Sequence, residues 1–393
     1  LSERADLDWQ KRLGAEYIET DIRVGNALLF GYEMGGYLNM FCADGNEIYY
    51  SGGYALDTIK AAADDLRQAI TTRAAFSLLW SEFTYQSSFE LGKLIYNDAF
   101  TNCVSENTKI TVVPFGPLSD LPFSVFLNSE YKGPFKSAPW AIRHNSFTYA
   151  ASIKEAFNSY FDPREVSAKN FLGVANPLFD PDAPKVRLAS IDKSDQKLAF
   201  GTRAVVLEKF SELPETDEEI QAIGNFFERK TLLSRSSASE RNLRGTHLSD
   251  FDVLSFATHG ALSGEAKGIL DPSLILTQEK AKTNQGYISD ATDGILTAGE
   301  ISKLNLKASI VSLSACNTAT TDIGGSSTNV QSLASAFRLA GVDNVLATLW
   351  SVETQAAATL NVETFRGWFS SGKTIADSLR FAQLSYLSSA DES

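Results

Sequence analysis

Apolar and polar residues follow two different periods along this chain, and the changes between them predict where strands and helices lie. Residues 27–50 consist of short β-prone runs, and the Asp44-Gly45 pair between two of these runs predicts a hairpin turn. Residues 56–70 instead have the period of an amphipathic helix. Further elements predicted in this half are a helix at 89–100, a buried strand at 109–114 and a strand at 140–149.

Strands alternate with helices in the remainder of the chain, from residue 165 onwards. The strands are predicted at 170–175, 251–259, 308–316 and 344–350, whereas 180–201 lacks a period and is expected to be loop. This alternation indicates βαβ units, which form a mainly parallel sheet with helices on both faces. The predicted fold class is therefore α/β.

Two helices in this half carry clear end signals. Glu215, Asp217, Glu218 and Glu219 are interpreted as the acidic start of a helix, which Thr216 or Asp217 is expected to cap. Apolar residues at helical spacing over 330–337 predict a helix packed on the sheet, and Gly341 is expected to end it in the C′ position.

The two central predicted strands end on side chains with chemical potential. One ends on His259 followed by Gly260, and the next ends on Cys316. In parallel α/β sheets, functional residues gather beyond the carboxyl ends of the strands. A histidine can take the proton of a cysteine thiol, which then acts as a nucleophile. The backbone N–H groups of Gly260 and Cys316 are candidate oxyanion donors.

A structural role is the main alternative for each of these residues taken alone. A single cysteine at a strand end is more often buried than catalytic, and a lone histidine is more often structural. The placement of both on neighbouring strands favours the functional interpretation. His144 and His247 are expected to be structural, and Cys42 and Cys103 are expected to be buried apolar side chains.

Composition and charge exclude several classes of function. A length of 393 residues with 44% hydrophobic residues suits one large domain or two smaller ones. The net charge of −13 argues against a direct nucleic-acid surface. No run of 18 apolar residues indicates a membrane span. The three cysteines have neither disulfide nor zinc spacing, which favours a reducing, cytoplasmic setting.

No cofactor or metal is expected either. The Gly324-Gly325 loop lacks the Gly-Lys-Ser/Thr of a P-loop, and no His/Cys/Asp cluster has metal-ligand spacing. The chain does not begin with Met, and residues 1–20 have a helical pattern. We therefore expect this chain to be a piece of a longer protein, with residues 1–20 as the end of an upstream helical region.

Six motifs in the same order closely resemble the CHAT domain, a family of caspase-like cysteine peptidases often fused to tetratricopeptide repeats. They are Val113-Pro-Phe-Gly-Pro-Leu-Ser-Asp-Leu-Pro-Phe123, Leu213-Pro-Glu-Thr-Asp-Glu-Glu-Ile220, Phe256-Ala-Thr-His259-Gly260, Leu296-Thr-Ala-Gly-Glu-Ile301 with Leu313-Ser-Ala-Cys316-Asn-Thr318, and Gly341-Val-Asp-Asn-Val-Leu-Ala-Thr-Leu-Trp350. The resemblance covers nearly the whole chain. It implies a caspase-like, mainly parallel sheet flanked by helices and a cysteine endopeptidase with His259 as base and Cys316 as nucleophile.

The resemblance also implies an arrangement of domains, a substrate pocket and partners. Residues 1–165 correspond to an N-terminal pseudo-protease-like half, and residues 166–393 to the catalytic half. The strand after the cysteine helix lines the S1 pocket, which here means Trp350, Ser351, Val352 and Glu353. The partners implied are a protein or peptide substrate and a regulatory helical-repeat region or effector complex. The stretch 277–293, expected to be mobile, is a candidate for cleavage on activation.

One departure from the family pattern affects the predicted pocket. The common sequence after the tryptophan is Pro-Val-Asp, whereas this chain has Ser351-Val-Glu353. The substrate preference therefore does not carry over. Glu353 would favour a basic P1 side chain if its carboxylate pointed into the pocket.

Three functions stay open on the sequence alone. The first is a regulated protease that acts through Cys316 and His259. The second is a catalytically silent module that binds partners at the edge of the sheet. The third is a hydrolase or transferase for small molecules that uses the same two residues, which a closed pocket rather than an open groove would favour.

Overall fold

The computed structural model of the chain describes most of its residues, namely 26–75, 85–156, 168–179, 190–191, 198–199, 210–261, 271–278, 293–314, 328–349 and 352–389. Contacts divide the chain into two compact units. The first comprises residues 1–164 together with 379–393, and the second comprises residues 165–378. Residues 379–393 were grouped with the second half in the sequence analysis, whereas by their contacts they group with the first unit. The pseudo-protease-like character of the first half stays a prediction.

A five-stranded sheet organises the first unit, with strand order β3-β2-β1-β4-β5. Its strands are β1 (Asn26–Met34), β2 (Tyr37–Ala43), β3 (Ile48–Ala55), β4 (Lys109–Val112) and β5 (Ser146–Tyr149). The first three are antiparallel neighbours, and β4 and β5 add in parallel. The predicted hairpin is confirmed, because the Asp44 carboxylate accepts hydrogen bonds from the backbone N–H groups of Asn46 and Glu47.

Two helices of the first unit begin or end differently from the sequence expectation. Helix α1 (Leu56–Ala75) is confirmed and buries Ile59 and Leu66. Helix α2 spans Tyr85–Gly92, so the expected helix over 89–100 is wrong at both ends. Asn97 caps a separate 3-10 turn over 98–100, which interrupts the helical path. The expected strand over 140–149 begins only at 146, because residues 141–143 form another 3-10 turn.

The core of the first unit contains a bond that the sequence analysis did not anticipate. Cys42 on β2 and Cys103 form a disulfide across a separation of 61 residues. Both residues are buried, as predicted, at 0% and 3% exposure. The expectation that cysteine spacing excludes a disulfide is wrong, because the two positions are brought together by the β2 strand and the turn after Phe100 packing into one core.

A parallel five-stranded sheet organises the second unit, with strand order β15-β14-β10-β6-β9. Its strands are β6 (Asn170–Pro177), β9 (Arg229–Arg235), β10 (Val253–Ala257), β14 (Ile310–Leu313) and β15 (Asn344–Ala347). Every neighbouring pair in this sheet is parallel. The predicted parallel sheet is confirmed. Within 180–201, expected to be loop, two-residue strands β7 (Ser190–Ile191) and β8 (Leu198–Ala199) pair with each other.

A second, smaller sheet begins where β10 ends. It consists of the antiparallel strands β11 (His259–Ala261), β12 (Ser273–Ile275) and β13 (Ile295–Thr297). The chain leaves the parallel sheet at Thr258, whose hydroxyl donates a hydrogen bond to the Ile275 carbonyl oxygen. The expected single strand over 251–259 is therefore wrong at its end, since His259 belongs to the antiparallel sheet.

Helices cover both faces of the parallel sheet. They are α3 (Glu215–Gly224), α4 (Glu240–Gly245), α5 (Ala298–Ile301), α6 (Thr328–Leu339) and α7 (Thr354–Ser371). The last helix, α8 (Ile375–Ser389), begins in the second unit, and its residues from 379 onwards group with the first. Alternate residues of β10 face opposite cores, with Phe256 in the core that includes Phe337 of α6 and Val253 in the core that includes Phe365 of α7. The expected α/β layering is confirmed.

The ends of α6 and α3 test two of the local expectations. After α6, Gly341 has φ +108 and donates to Arg338 O, while Val342 donates to Phe337 O, which is a Schellman cap. A Cβ on Gly341 would lie 2.3 Å from the Leu306 carbonyl oxygen, so only glycine fits. The expected cap of α3 is wrong: the N-cap position is Pro214, which makes no side-chain cap hydrogen bond.

Candidate active site

The strands that precede the two predicted catalytic residues are neighbours with a defined register. Phe256 of β10 pairs with Leu313 of β14, and the Ser314 N–H donates to the Phe256 carbonyl oxygen at 2.9 Å. His259 and Cys316 each lie three positions beyond this registered pair. Cys316 itself lies outside the described residues, as do Trp350 and Ser351 of the predicted S1 region.

His259 is held in a defined orientation within a mostly apolar environment. Its residue is 4% exposed, and its ring contacts Phe179 and Phe210 with centroid distances of 5.6 and 5.1 Å. Nε2 lies 2.7 Å from the Ser211 carbonyl oxygen. A carbonyl can only accept, so Nε2 donates, and the basic nitrogen of the neutral ring is then Nδ1. The contact with Ser211 therefore fixes the tautomer of His259.

The segment that follows Ser211 is hydrogen-bonded to Asn176 at the end of β6. Asn176 is 1% exposed with φ +42, and its side-chain oxygen accepts the Leu213 N–H at 3.2 Å. Its amide donates to Asp217 at 2.7 Å, and its backbone N–H donates to the Thr216 hydroxyl at 3.0 Å. These contacts explain why neither Thr216 nor Asp217 caps α3, since both side chains serve Asn176. An asparagine suits the left-handed region, but its partners, about 40 positions away, leave no local signal.

Gly260 follows His259 on β11 and is buried. It pairs with Leu274 of the antiparallel strand β12. This pairing fixes its backbone beside the histidine. Its role as an oxyanion donor stays a prediction.

A small cavity lies at the carboxyl edge of the parallel sheet. The residues that line it are Leu213, Thr258, Ser314, Thr348, Val352, Thr354 and Ala357. Thr258 directly precedes His259, and Ser314 lies two positions before Cys316. The remaining lining residues come from the segment before α3, the end of β15 and the start of α7. The cavity therefore brings together the chain neighbours of the predicted catalytic and S1 residues.

Glu353 of the predicted S1 region is engaged with its own helix. It is the N-cap of α7, and its carboxylate oxygens accept the Gln355 and Ala356 N–H groups at 2.9 and 2.8 Å. This arrangement satisfies the helix N-terminus and suits its dipole. A basic P1 side chain would have to compete with both hydrogen bonds, which counts against the charge pairing considered from the sequence.

Glu219 of α3 is a buried acid that the sequence analysis assigned only to an acidic helix start. It is 2% exposed. Its carboxylate accepts hydrogen bonds from Ser314 Oγ at 3.1 Å and Asn361 Nδ2 at 2.9 Å. Burial raises the pKa of Glu219 to about 7, and the two hydrogen bonds lower it only in part.

The two remaining histidines each lie next to a 3-10 turn. His144 follows a 3-10 turn, and its carbonyl oxygen accepts the Asn107 N–H at 2.8 Å. His247 is exposed before the turn at 248–250.

Over the described ranges, no three His, Cys, Asp or Glu side chains are grouped as metal ligands. None of the helices that the structure describes has the length and apolarity needed to cross a membrane.

Comparison with known proteins supports the resemblance noted in the sequence. No curated protein matches the chain. The family model of the CHAT domain matches residues 91–393, which is well over half of the chain and includes His259 and Cys316. The match confirms the resemblance and agrees with the α/β fold, whose mainly parallel sheet and flanking helices are caspase-like. This chain belongs to the CHAT domain family.

Proposed function

We propose that this protein is a cysteine endopeptidase in which His259 is the general base and Cys316 is the nucleophile. Nδ1 of His259 takes the thiol proton, and the thiolate attacks the carbonyl carbon of the scissile bond. The backbone N–H groups of Gly260 and Cys316 donate to the oxyanion. His259 then gives its proton to the leaving amine, and water hydrolyses the thioester to release the acid and restore the thiol.

The register of β10 and β14 is the observation that carries this function. Neighbouring strands lie about 4.8 Å apart, and Phe256 and Leu313 form a registered pair. His259 and Cys316 each follow that pair by three positions, so the two segments that lead to them leave the sheet at the same edge. The bond from His259 Nε2 to Ser211 supports the same assignment, because it leaves Nδ1 as the base.

The substrate and partners follow from the family and from the edge of the sheet. We infer a protein or peptide substrate, with the S1 region formed by residues 350–353. The Glu353 carboxylate serves α7, which favours an S1 pocket without a negative charge for P1. A helical-repeat region or effector complex is the proposed regulator.

Cleavage of a defined peptide mixture by the whole chain tests this function. Cys316→Ala is expected to abolish cleavage, and His259→Gln to lower its rate by about 10²–10⁴-fold, because general base catalysis is lost. His247→Gln is the matched control, since His247 is exposed and lies outside the proposed site. It should cleave like the unchanged chain.

Labelling with an electrophilic peptide probe separates the alternatives when an activator is required for cleavage. Modification of Cys316 that depends on His259 supports a competent peptidase. Cleavage retained in both Cys316→Ala and His259→Gln would refute the assignment. The absence of both cleavage and Cys316 labelling, even with the helical-repeat region added, would favour a catalytically silent binding module.

A further inference from the structure

We propose that Glu219 is a positioning residue of the active site, which holds Ser314 at the carboxyl end of β14 and thereby fixes the chain that leads to Cys316. This role rests on the proposed function of Cys316 and His259. Ser314 lies two positions before Cys316 and lines the cavity at the edge of the sheet. A group that fixes the position of Ser314 therefore constrains the start of the segment that carries the proposed nucleophile.

Glu219 joins three elements that are distant in sequence. It lies on α3, and its Oε2 accepts from Ser314 Oγ beyond β14 at 3.1 Å, across 95 positions. Its Oε1 accepts from Asn361 Nδ2 on α7 at 2.9 Å, across 142 positions. The carboxylate thus links the end of the nucleophile strand to two helices that pack on the same face of the sheet.

The choice of a carboxylate at this position is costly for stability alone. Glu219 is 2% exposed, and its neighbours Ile220 and Ile223 pack into the apolar core with Phe365. An apolar side chain of similar size would avoid the cost of burying a carboxyl group. The position therefore favours a group that can accept two directed hydrogen bonds over one that only fills space.

The Ser314 contact has a different direction in the two charge states of Glu219. As a carboxylate, Glu219 accepts from both partners. When it is protonated, it has one proton to donate, and the Asn361 amide in its observed orientation presents its N–H group to Glu219. The Ser314 hydroxyl is the partner that can reverse and accept. Because burial raises the pKa of Glu219 to about 7, both states are populated near neutral pH.

The elements packed against Glu219 present neutral groups to it. Its partners on β14 and α7 are the Ser314 hydroxyl and the Asn361 amide. Strands β6 and β10 contain no ionisable side chain, and His259 beyond β10 donates to Ser211. The charged residues of α7, β9 and the first turn of α3 have other partners or are at least partly exposed. Arg366 pairs with Glu363, Arg235 with Glu212 and Asp217 with Asn176, while Lys230 donates to Asn225, Arg229 donates to Asn170 and Glu353 caps its own helix. Glu215 is half-buried and Glu218 is exposed.

The test measures the rate of Cys316 alkylation by iodoacetamide against pH in the whole chain. All variants carry His259→Gln, so that the imidazole does not titrate. Glu219→Gln imitates the protonated acid. The alkylation rates of the proteins with Glu219 and with Glu219→Gln should be equal below about pH 6. At about pH 8.5 the two rates should differ by about threefold or more, which is within the range of coupling between contacting residues. Adding Ser314→Ala to both should remove that difference.

Glu218→Gln is the matched control, because Glu218 is exposed on the same helix and should leave the profile unchanged. Superposed profiles for Glu219 and Glu219→Gln at every pH would overturn the positioning role. If Glu219→Gln does not fold, Ser314→Ala alone decides, since an unchanged profile also overturns it. Cleavage by the chain with its natural His259 is measured separately. Loss of both cleavage and labelling of Cys316 by the peptide probe, with the helical-repeat region added, would refute the proposed function. The alkylation profiles would still test the role of Glu219.

Discussion

Reduction of the Cys42–Cys103 disulfide should strongly and selectively destabilise the first unit. The bond closes a loop of 61 residues. In the chain-entropy model, a cross-link over that length removes enough disorder from the unfolded chain to stabilise the folded state by about 4 kcal/mol at 25 °C. Domains are stable by only about 5–15 kcal/mol in total, so the loss would be a large fraction.

Hydrogen exchange can measure this effect in each unit separately. Oxidised and reduced chains are compared in a Cys316→Ala background, so that the pair is the only source of thiols. Peptides from β2 should exchange through global unfolding at a free energy about 4 kcal/mol lower after reduction. Peptides from β10 in the second unit, which does not contain the bond, serve as the internal control and should keep their protection.

A count of thiols decides whether the bond exists before its energy is interpreted. The unfolded, unreduced chain should show one reactive thiol, from Cys316, because Cys42 and Cys103 are joined. Three thiols would refute the bond. One thiol together with unchanged protection of β2 would instead refute the entropic estimate. Disulfides are rare in reducing compartments, so a single thiol in freshly isolated protein would also count against the cytoplasmic location expected from the sequence.

Four other substitutions have defined outcomes. Glu353→Ala should lower the free energy of unfolding of the second unit by about 1 kcal/mol, because the helix loses its N-cap. The ratio of cleavage rates for two peptides that differ only in lysine or leucine at P1 should not change. Burial and the neighbouring Glu240 raise the pKa of Asp293 to about 8 from 3.8. Its stabilisation is therefore complete below about pH 4 and lost as pH rises through 8. The melting temperature of Asp293→Asn relative to the unchanged chain should therefore climb between about pH 4 and about pH 8 and level off above that. Within the described residues, Ser312 Oγ is buried without a hydrogen-bond partner, so Ser312→Ala should raise the free energy of unfolding by roughly 1 kcal/mol in a denaturant titration. Thr297→Ala breaks a capping box and should lower the free energy of unfolding by roughly 1 kcal/mol in the same titration.

The elements that local chemistry determines were predictable from the sequence. The Asp44-Gly45 hairpin and the Schellman cap at Gly341 depend on residues within a few positions of one another. The parallel sheet was predictable because strands and helices alternate throughout the second unit. These features need no knowledge of distant contacts.

The features that were missed depend on residues far apart in the chain. The disulfide joins positions that only the fold of the first unit brings together. The end of β10 is set by Thr258, whose hydroxyl bonds to Ile275 on another strand. The orientation of His259 depends on Ser211, whose segment is in turn tied to Asn176. A periodic pattern contains no signal for such pairings.

Three acids near helix N-termini show why this limit matters for the active site. Glu353 and Asp217 look alike in sequence, yet Glu353 caps its own helix while Asp217 accepts from Asn176 and fixes the segment that leads from Ser211. Glu219, two positions after Asp217, is turned into the core and reaches Ser314. Three acids with similar local sequence therefore have three different partners: the end of a helix, the segment that follows Ser211, and Ser314. The proposed catalytic pair was predicted from the sequence of two strands, whereas the residues that we propose to orient it are defined only by contacts across the fold.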